Sequence, residues 1–185
     1  QCCLVGSEMC IRDSIWRAAF HSVSAFCNAG FSLGDDSLTA YRNDIPVNLI
    51  ICCLVIVGGI GFPVIFDVSS RIWNRESIWE RLHMHSKLML LGTAVLLVFG
   101  AVSFWLFESD GVLACQPLPN RILLGLFHTT TCRTAGFHTV DYGSLSSATL
   151  FLTILLMSIG AGPGSTGGGF KAVSYTHLTL PTTHG

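Results

Sequence analysis

One stretch of this chain occurs twice. Phe20–Asp35 reads FHSVSAFCNAGFSLGD, and Phe127–Asp141 reads FHTTTCRTAGFHTVD. Phe20-His21 pairs with Phe127-His128 at an offset of 107, and Ala29-Gly30-Phe31 pairs with Ala135-Gly136-Phe137 at an offset of 106. One residue has therefore slipped between the two blocks. A repeat constrains the architecture before any local reading does. Each copy is a short, hydroxyl-rich segment leading into a glycine between Ala and Phe, and each is followed by a long apolar run. Trp16–Phe26 is 11 residues, roughly 16 Å as a helix, whereas a bilayer core is about 30 Å thick. Such a segment can enter a membrane halfway and turn back at its glycine. Irregular backbone at that depth is stable only where protein or a water-filled path surrounds it. A half-length helix ending in bare carbonyls is also a cation site, because its dipole aims partial negative charge at the turn.

Composition agrees with a membrane setting. Half the residues are apolar and only 11% are charged. The net charge of −1 argues against a nucleic-acid partner. The cysteines give no metal or redox pattern: no CxxC or Cys/His spacing occurs, Cys52 and Cys53 lie in an apolar run, and Cys27 and Cys132 adjoin the repeated turns. His83 and His85 read as residues of a solvated loop, with a pH sensor or ligand pair as the less favoured reading.

The ends carry a separate signal. Met9–Asp13 can be written ATG TGT ATA AGA GAC, whose reverse complement encodes Val-Ser-Tyr-Thr-His, the residues at 173–177. With Ser7-Glu8 the correspondence extends to Ser7–Asp13 and Val173–Thr179. Residues 1–14 and 173–185 therefore read as scars of a translated sequencing adapter, and the natural protein is expected to extend beyond both ends.

Along the chain, Ile15–Phe26 is expected to form the first re-entrant helix and Cys27–Phe31 the first turn. Ile45–Phe66 is uncharged and long enough to span, with Gly58, Gly59 and Gly61 for close helix approach and Pro63 as a kink. Asp67–Lys87 holds Arg71, Arg75, Arg81 and Lys87, which places it in the cytoplasm. The turns then open to the outside, where Asp35, Asp36, Glu108, Asp110 and Asp141 collect. Leu88–Phe107 is the second span. Arg121–Thr131 is the second re-entrant helix, Thr134–Phe137 the second turn and Tyr142–Phe170 the third span. Arg133 is expected to turn away from the cation path, pairing with an acid such as Asp141 or reaching the outer surface.

The third span is interrupted by Gly160–Gly169, GAGPGSTGGG. So many glycines make a poor helix, so a loop within the membrane is expected there. Gly162–Gly167 also fits G-x-G-x-x-G, but a run long enough for a membrane helix precedes it where a dinucleotide site needs a strand. A phosphate-binding loop needs Lys directly after its last Gly, and Phe170 intervenes before Lys171.

SAFCNAGFS, GGIGFPV, TCRTAGFHTVD and GAGPGSTGGGFK, in this order, resemble the Trk/Ktr/HKT superfamily of potassium transporters, most nearly the bacterial Ktr and Trk membrane subunits. The resemblance covers about 15–172. It implies an all-α polytopic membrane protein of membrane–pore–membrane repeats, with re-entrant pore helices and a broken, Gly-rich membrane helix. Residues 15–70 would be the back of a second repeat, 71–87 a cytoplasmic loop and 88–172 a third repeat; the first and fourth repeats are absent. The resemblance also implies filter carbonyls from Asn28, Ala29, Gly30 and Phe31, and from Thr134, Ala135, Gly136 and Phe137. It implies a gate formed by Gly160, Gly162, Gly164, Ser165, Thr166, Gly167, Gly168, Gly169 and Lys171. Potassium would be the substrate, with no organic cofactor and no other metal. The full-length subunit would sit multi-pass in lipid at the cell membrane, dimerise and bind a cytosolic nucleotide-binding regulatory subunit. The competing readings are a helical membrane protein without a pore and a membrane-attached nucleotide-binding protein.

Overall fold

A computed structural model describes the backbone of residues 2–34, 36–73, 82–109, 111–114, 116–133, 135–162 and 164–169, with side chains from Asp13 onward. Those residues form six α-helices and no β-strand: α1 Cys2–Phe26, α2 Ile45–Ile60, α3 Phe62–Trp73, α4 Met84–Glu108, α5 Leu118–Cys132 and α6 Ser147–Ser158. Two short 3-10 turns, Thr39–Tyr41 and Tyr142–Ser144, lead into α2 and α6. Helix α5 packs on α4, α2 and α6, while α1 packs on α2.

The helix α4 is inverted relative to a helix in water. Its buried residues are Ser86, Thr93, Gly100, Phe104 and Glu108, mostly small or polar, on one face. Leu88, Leu91, Val95, Val98, Val102 and Leu106 are exposed on the other. A water-soluble amphipathic helix buries its apolar stripe, whereas a helix solvated by lipid hides its small and polar groups against other helices. Its 25 residues amount to roughly 37 Å at 1.5 Å per residue. Among the described residues it is the one helix that is long and apolar enough to cross a membrane alone. Close approach explains its small residues. A Cβ on Gly100 would collide with the Thr129 side chain of α5, and one on Gly125 would stand 3.4 Å from the Ala101 carbonyl oxygen.

Both ends of α4 are held by carboxylates. At its start, Asp67 of α3 accepts from the His83 backbone N–H (3.2 Å), the His83 ring Nδ1 (3.0 Å) and Arg71 Nε (3.0 Å). The His83 side chain is bonded to Asp67 yet remains exposed, as is His85. At its end, Glu108 is 1% exposed. It accepts from the Ser146 backbone N–H (2.8 Å) and the Thr149 hydroxyl (2.7 Å), so it braces Ser146, the residue whose hydroxyl caps the N-terminus of α6. These bonds remove Glu108 from any outward-facing acidic cluster.

Two expected boundaries are corrected. The segment expected as the first re-entrant helix, Ile15–Phe26, is the second half of a longer helix: α1 runs without interruption from Cys2 to Phe26. The span expected over Ile45–Phe66 is not one helix kinked at Pro63. It breaks at Gly61, which has φ 98°, and α3 leaves α2 at 103°. Backbone hydrogen bonding explains the sharpness. Pro63 has no N–H, so it cannot donate to Gly59 four residues earlier. The Gly162 N–H donates to that Gly59 carbonyl at 3.1 Å. The Phe62 N–H turns to the Gly164 carbonyl (3.3 Å), and the Gly58 carbonyl it leaves accepts from the Thr166 N–H (3.3 Å). The Gly-rich segment thus satisfies what the broken helix loses.

Candidate functional site

The two repeated turns meet. Gly30 and Gly136 both stand at positive φ, 69° and 86°, which L side chains adopt only with strain. A Cβ on Gly30 would lie 2.8 Å from Gly136 Cα and would collide with the Ala135 carbonyl oxygen. Behind this contact the two copies share one apolar core. Ala25 of the first copy and Phe127, Ala135 and Phe137 of the second pack together with Ile51, Cys52 and Val55 of α2.

The first turn is closed by its own helix. The Ala29 N–H donates to the Ser24 carbonyl and the Ser24 hydroxyl to the Phe31 carbonyl, both at 2.9 Å. Asn28 is buried, with φ 50°, and Ala29 is exposed. The second turn follows α5, and its Ala135 N–H donates to the Thr131 carbonyl of that helix at 3.1 Å. Thr134 lies outside the described residues. The paired phenylalanines differ: Phe137 is 0% exposed beside the His21 ring of the first copy, while Phe31 is 68% exposed.

The Gly-rich loop lies against the first turn. Asn28 Nδ2 donates to Thr166 Oγ1 at 3.0 Å. That hydroxyl is in donating range of the Phe26 carbonyl at the end of α1 (3.1 Å) and of the Gly58 carbonyl (3.2 Å). Gly58 makes this approach possible, because a Cβ there would collide with the Phe26 carbonyl oxygen. The loop closes on itself through the Ala161 N–H and the Gly168 carbonyl at 3.1 Å, and Ser165 N–H donates to Gly162 O at 3.2 Å. Gly162 and Gly167 are buried, Gly160 is half-buried, and Gly164, Gly168 and Gly169 are exposed. Lys171 lies outside the described residues.

Arg133 departs from its expected pairing. It is 8% exposed, its Nε has no hydrogen-bond partner, and no carboxylate lies within 4.0 Å of it among the described residues. Asp141 instead accepts from the Gly143 N–H at 3.0 Å and caps the 3-10 turn that follows it. Arg133 therefore neither pairs with Asp141 nor reaches the surface. Nor, among the described residues, do three or more His, Cys, Asp or Glu side chains gather as a metal site.

Three groups at the site carried no sequence signal as site residues: the Phe26, Gly58 and Gly59 carbonyls. The one available clue was Pro63, whose missing N–H orphans the Gly59 acceptor.

Comparison with known proteins gives four findings. The family described as "TrkH: Cation transport protein" matches residues 4–180. The Ktr system potassium uptake protein B of Vibrio alginolyticus is 41% identical over 177 residues, covering 95% of this chain and 38% of that protein. The potassium/sodium uptake protein NtpJ of Enterococcus hirae is 40% identical over 167 residues, covering 90% of this chain and 36% of that protein. The crystal structure of the potassium transporter TrkH from Vibrio parahaemolyticus matches with a TM-score of 0.71 at 23% identity, over 89% of this chain and 34% of that one. That last likeness is one of fold. The chain spans under two fifths of the length of each of these proteins.

Proposed function

The chain belongs to the TrkH family of cation transport proteins, and on that premise we propose that it forms the middle of a longer subunit that takes up potassium through a channel-like pore. Asn28–Phe31 and Thr134–Phe137 supply carbonyl oxygens that replace the ion's hydration shell, and weak binding at several positions lets the ion leave. Gly160–Lys171 is the gate below them. No covalent chemistry is required of any residue.

The observation that carries this reading is the contact of the two repeated turns at Gly30 and Gly136, with the Gly-rich loop hydrogen-bonded to the first. The uneven burial of the repeated phenylalanines supports a larger ring. Phe137 is covered by the first copy, and Phe31 stands ready to be covered in the same way by a preceding repeat. In this reading 15–70 and 88–172 are consecutive repeats joined by a cytoplasmic 71–87. Adapter-derived ends, 1–14 and 173–185, belong to the same reading, and the family match at 4–180 overlaps both. Potassium is favoured as substrate because the relatives' names carry it, although one of those names also carries sodium. A homodimer with a cytosolic nucleotide-binding subunit fits a relative named as one component of a system.

The test is cation uptake into liposomes holding the full-length subunit. Potassium uptake that exceeds sodium uptake is expected. Deleting Gly167–Gly169 removes the Ala161–Gly168 closure and is expected to raise the maximum rate while keeping that preference. Absence of cation uptake by the correctly inserted wild type would overturn the reading.

A further inference from the structure

We propose that Thr166, on the gate, is a positioning residue for the first filter turn, so that one hydroxyl sets ion discrimination as well as passage. The inference rests on the filter and gate reading above. Asn28 holds a left-handed backbone conformation, φ 50°, which a non-glycine residue keeps only when its surroundings fix it. Its side chain is buried and its Oδ1 is unpartnered. Among the described residues its one side-chain hydrogen bond goes from Nδ2 to Thr166 Oγ1, at 3.0 Å. The acceptor is itself anchored, since the Thr166 hydroxyl has the Phe26 and Gly58 carbonyls at 3.1 and 3.2 Å as alternative acceptors. Its backbone N–H is engaged separately with Gly58 O.

One hydroxyl therefore joins three things: the end of the first pore helix, a residue of the filter turn and the break between α2 and α3. A carbonyl filter discriminates through the number and spacing of its oxygens. Removing the hydroxyl leaves the Asn28 side-chain amide without a partner among the described residues and frees the turn to relax. A loop that only obstructs would change the rate of passage and leave the ratio of ions alone. A loop that also supports the filter through Thr166 changes the ratio when that hydroxyl is lost, and keeps it when Gly167–Gly169 are deleted with Thr166 retained.

The experiment measures the potassium-to-sodium uptake ratio of the full-length subunit in liposomes for the wild type, Thr166→Val and Thr166→Ser. Thr166→Val keeps the shape and loses the hydrogen bonds; its ratio is expected to fall roughly threefold to tenfold, the scale of one lost hydrogen bond. Thr166→Ser restores the hydroxyl and is expected to keep the wild-type ratio. A wild-type ratio in a conducting Thr166→Val variant overturns the proposal. If that variant does not reach the membrane, Thr166→Ala is measured in the same way. Absence of both, with Thr166→Ser present, makes the hydroxyl a folding element and also overturns it. A wild type that conducts but does not discriminate would overturn the filter reading and this inference with it. A discriminating wild type beside an unaffected Thr166→Val would overturn this inference alone.

Discussion

Gly30 and Gly136 face each other so closely that a Cβ on either would press on the other's backbone, 2.8 Å from Gly136 Cα in one direction and 3.2 Å from Gly30 Cα in the other. Both also need positive φ. The two effects add but are unequal, because a Cβ on Gly30 additionally meets the Ala135 carbonyl oxygen. Gly30→Ala is expected to destabilise the full-length subunit by about 2–4 kcal/mol, the sum of backbone strain and overpacking. Gly136→Ala is expected to cost about 1–2 kcal/mol, mostly strain. Thermal unfolding in detergent would rank them; equal losses would refute the proposed asymmetry.

Pro63→Ala adds a backbone N–H four residues after Gly59. That donor competes with the Gly162 N–H for the Gly59 carbonyl and favours a straighter passage from α2 into α3. Amide exchange at Gly162 and Thr166, followed by mass spectrometry, is expected to quicken. Unchanged exchange would show that the 103° bend is held by other contacts.

Asp67 predicts a pH response. Burial opposes its ionisation, but hydrogen bonds from Ser86, the His83 ring, the His83 backbone N–H and Arg71 outweigh that and hold the carboxyl well below the usual carboxylate range. A depressed carboxylate contributes stability that is fully present above its unfolded value, about 3.9, and is lost as pH falls through its lower folded value. Asp67→Asn is therefore expected to lower the melting temperature at neutral pH. Its deficit relative to the wild type should stay constant down to the carboxylate range and shrink below it. A deficit that grows on acidification would contradict the assignment.

Much of this was legible beforehand, for identifiable reasons. The uncharged run Leu88–Phe107 is found within α4, Met84–Glu108, because continuous apolarity is a local property. The helix expected over Arg121–Thr131 is α5, Leu118–Cys132, with prolines marking its start. The paired turns were visible as a repeat. What escaped reading depends on partners far along the chain. Pro63 looked like an ordinary kink, because the Gly162 donor that accommodates a full break lies in a distant loop. Arg133 was expected to turn away and pair with an acid or reach the surface, because a bare positive charge beside a cation path would repel the ion. Thr166 sits among small residues with no periodicity, so nothing marked its hydroxyl as the partner of Asn28.

The bond between Asn28 and Thr166 joins residues 138 apart, and that separation has a consequence for biogenesis. At about 5–20 residues per second on the ribosome, the first turn emerges roughly 7–28 s before the hydroxyl that completes it. Through that interval the Phe26 carbonyl and the Asn28 side-chain amide lack the Thr166 hydroxyl, their hydrogen-bond partner among the described residues. The turn nearest the start of this segment is therefore among its last parts to be finished, and a ribosome that stalls before residue 166 leaves an inserted chain whose first turn is not yet native.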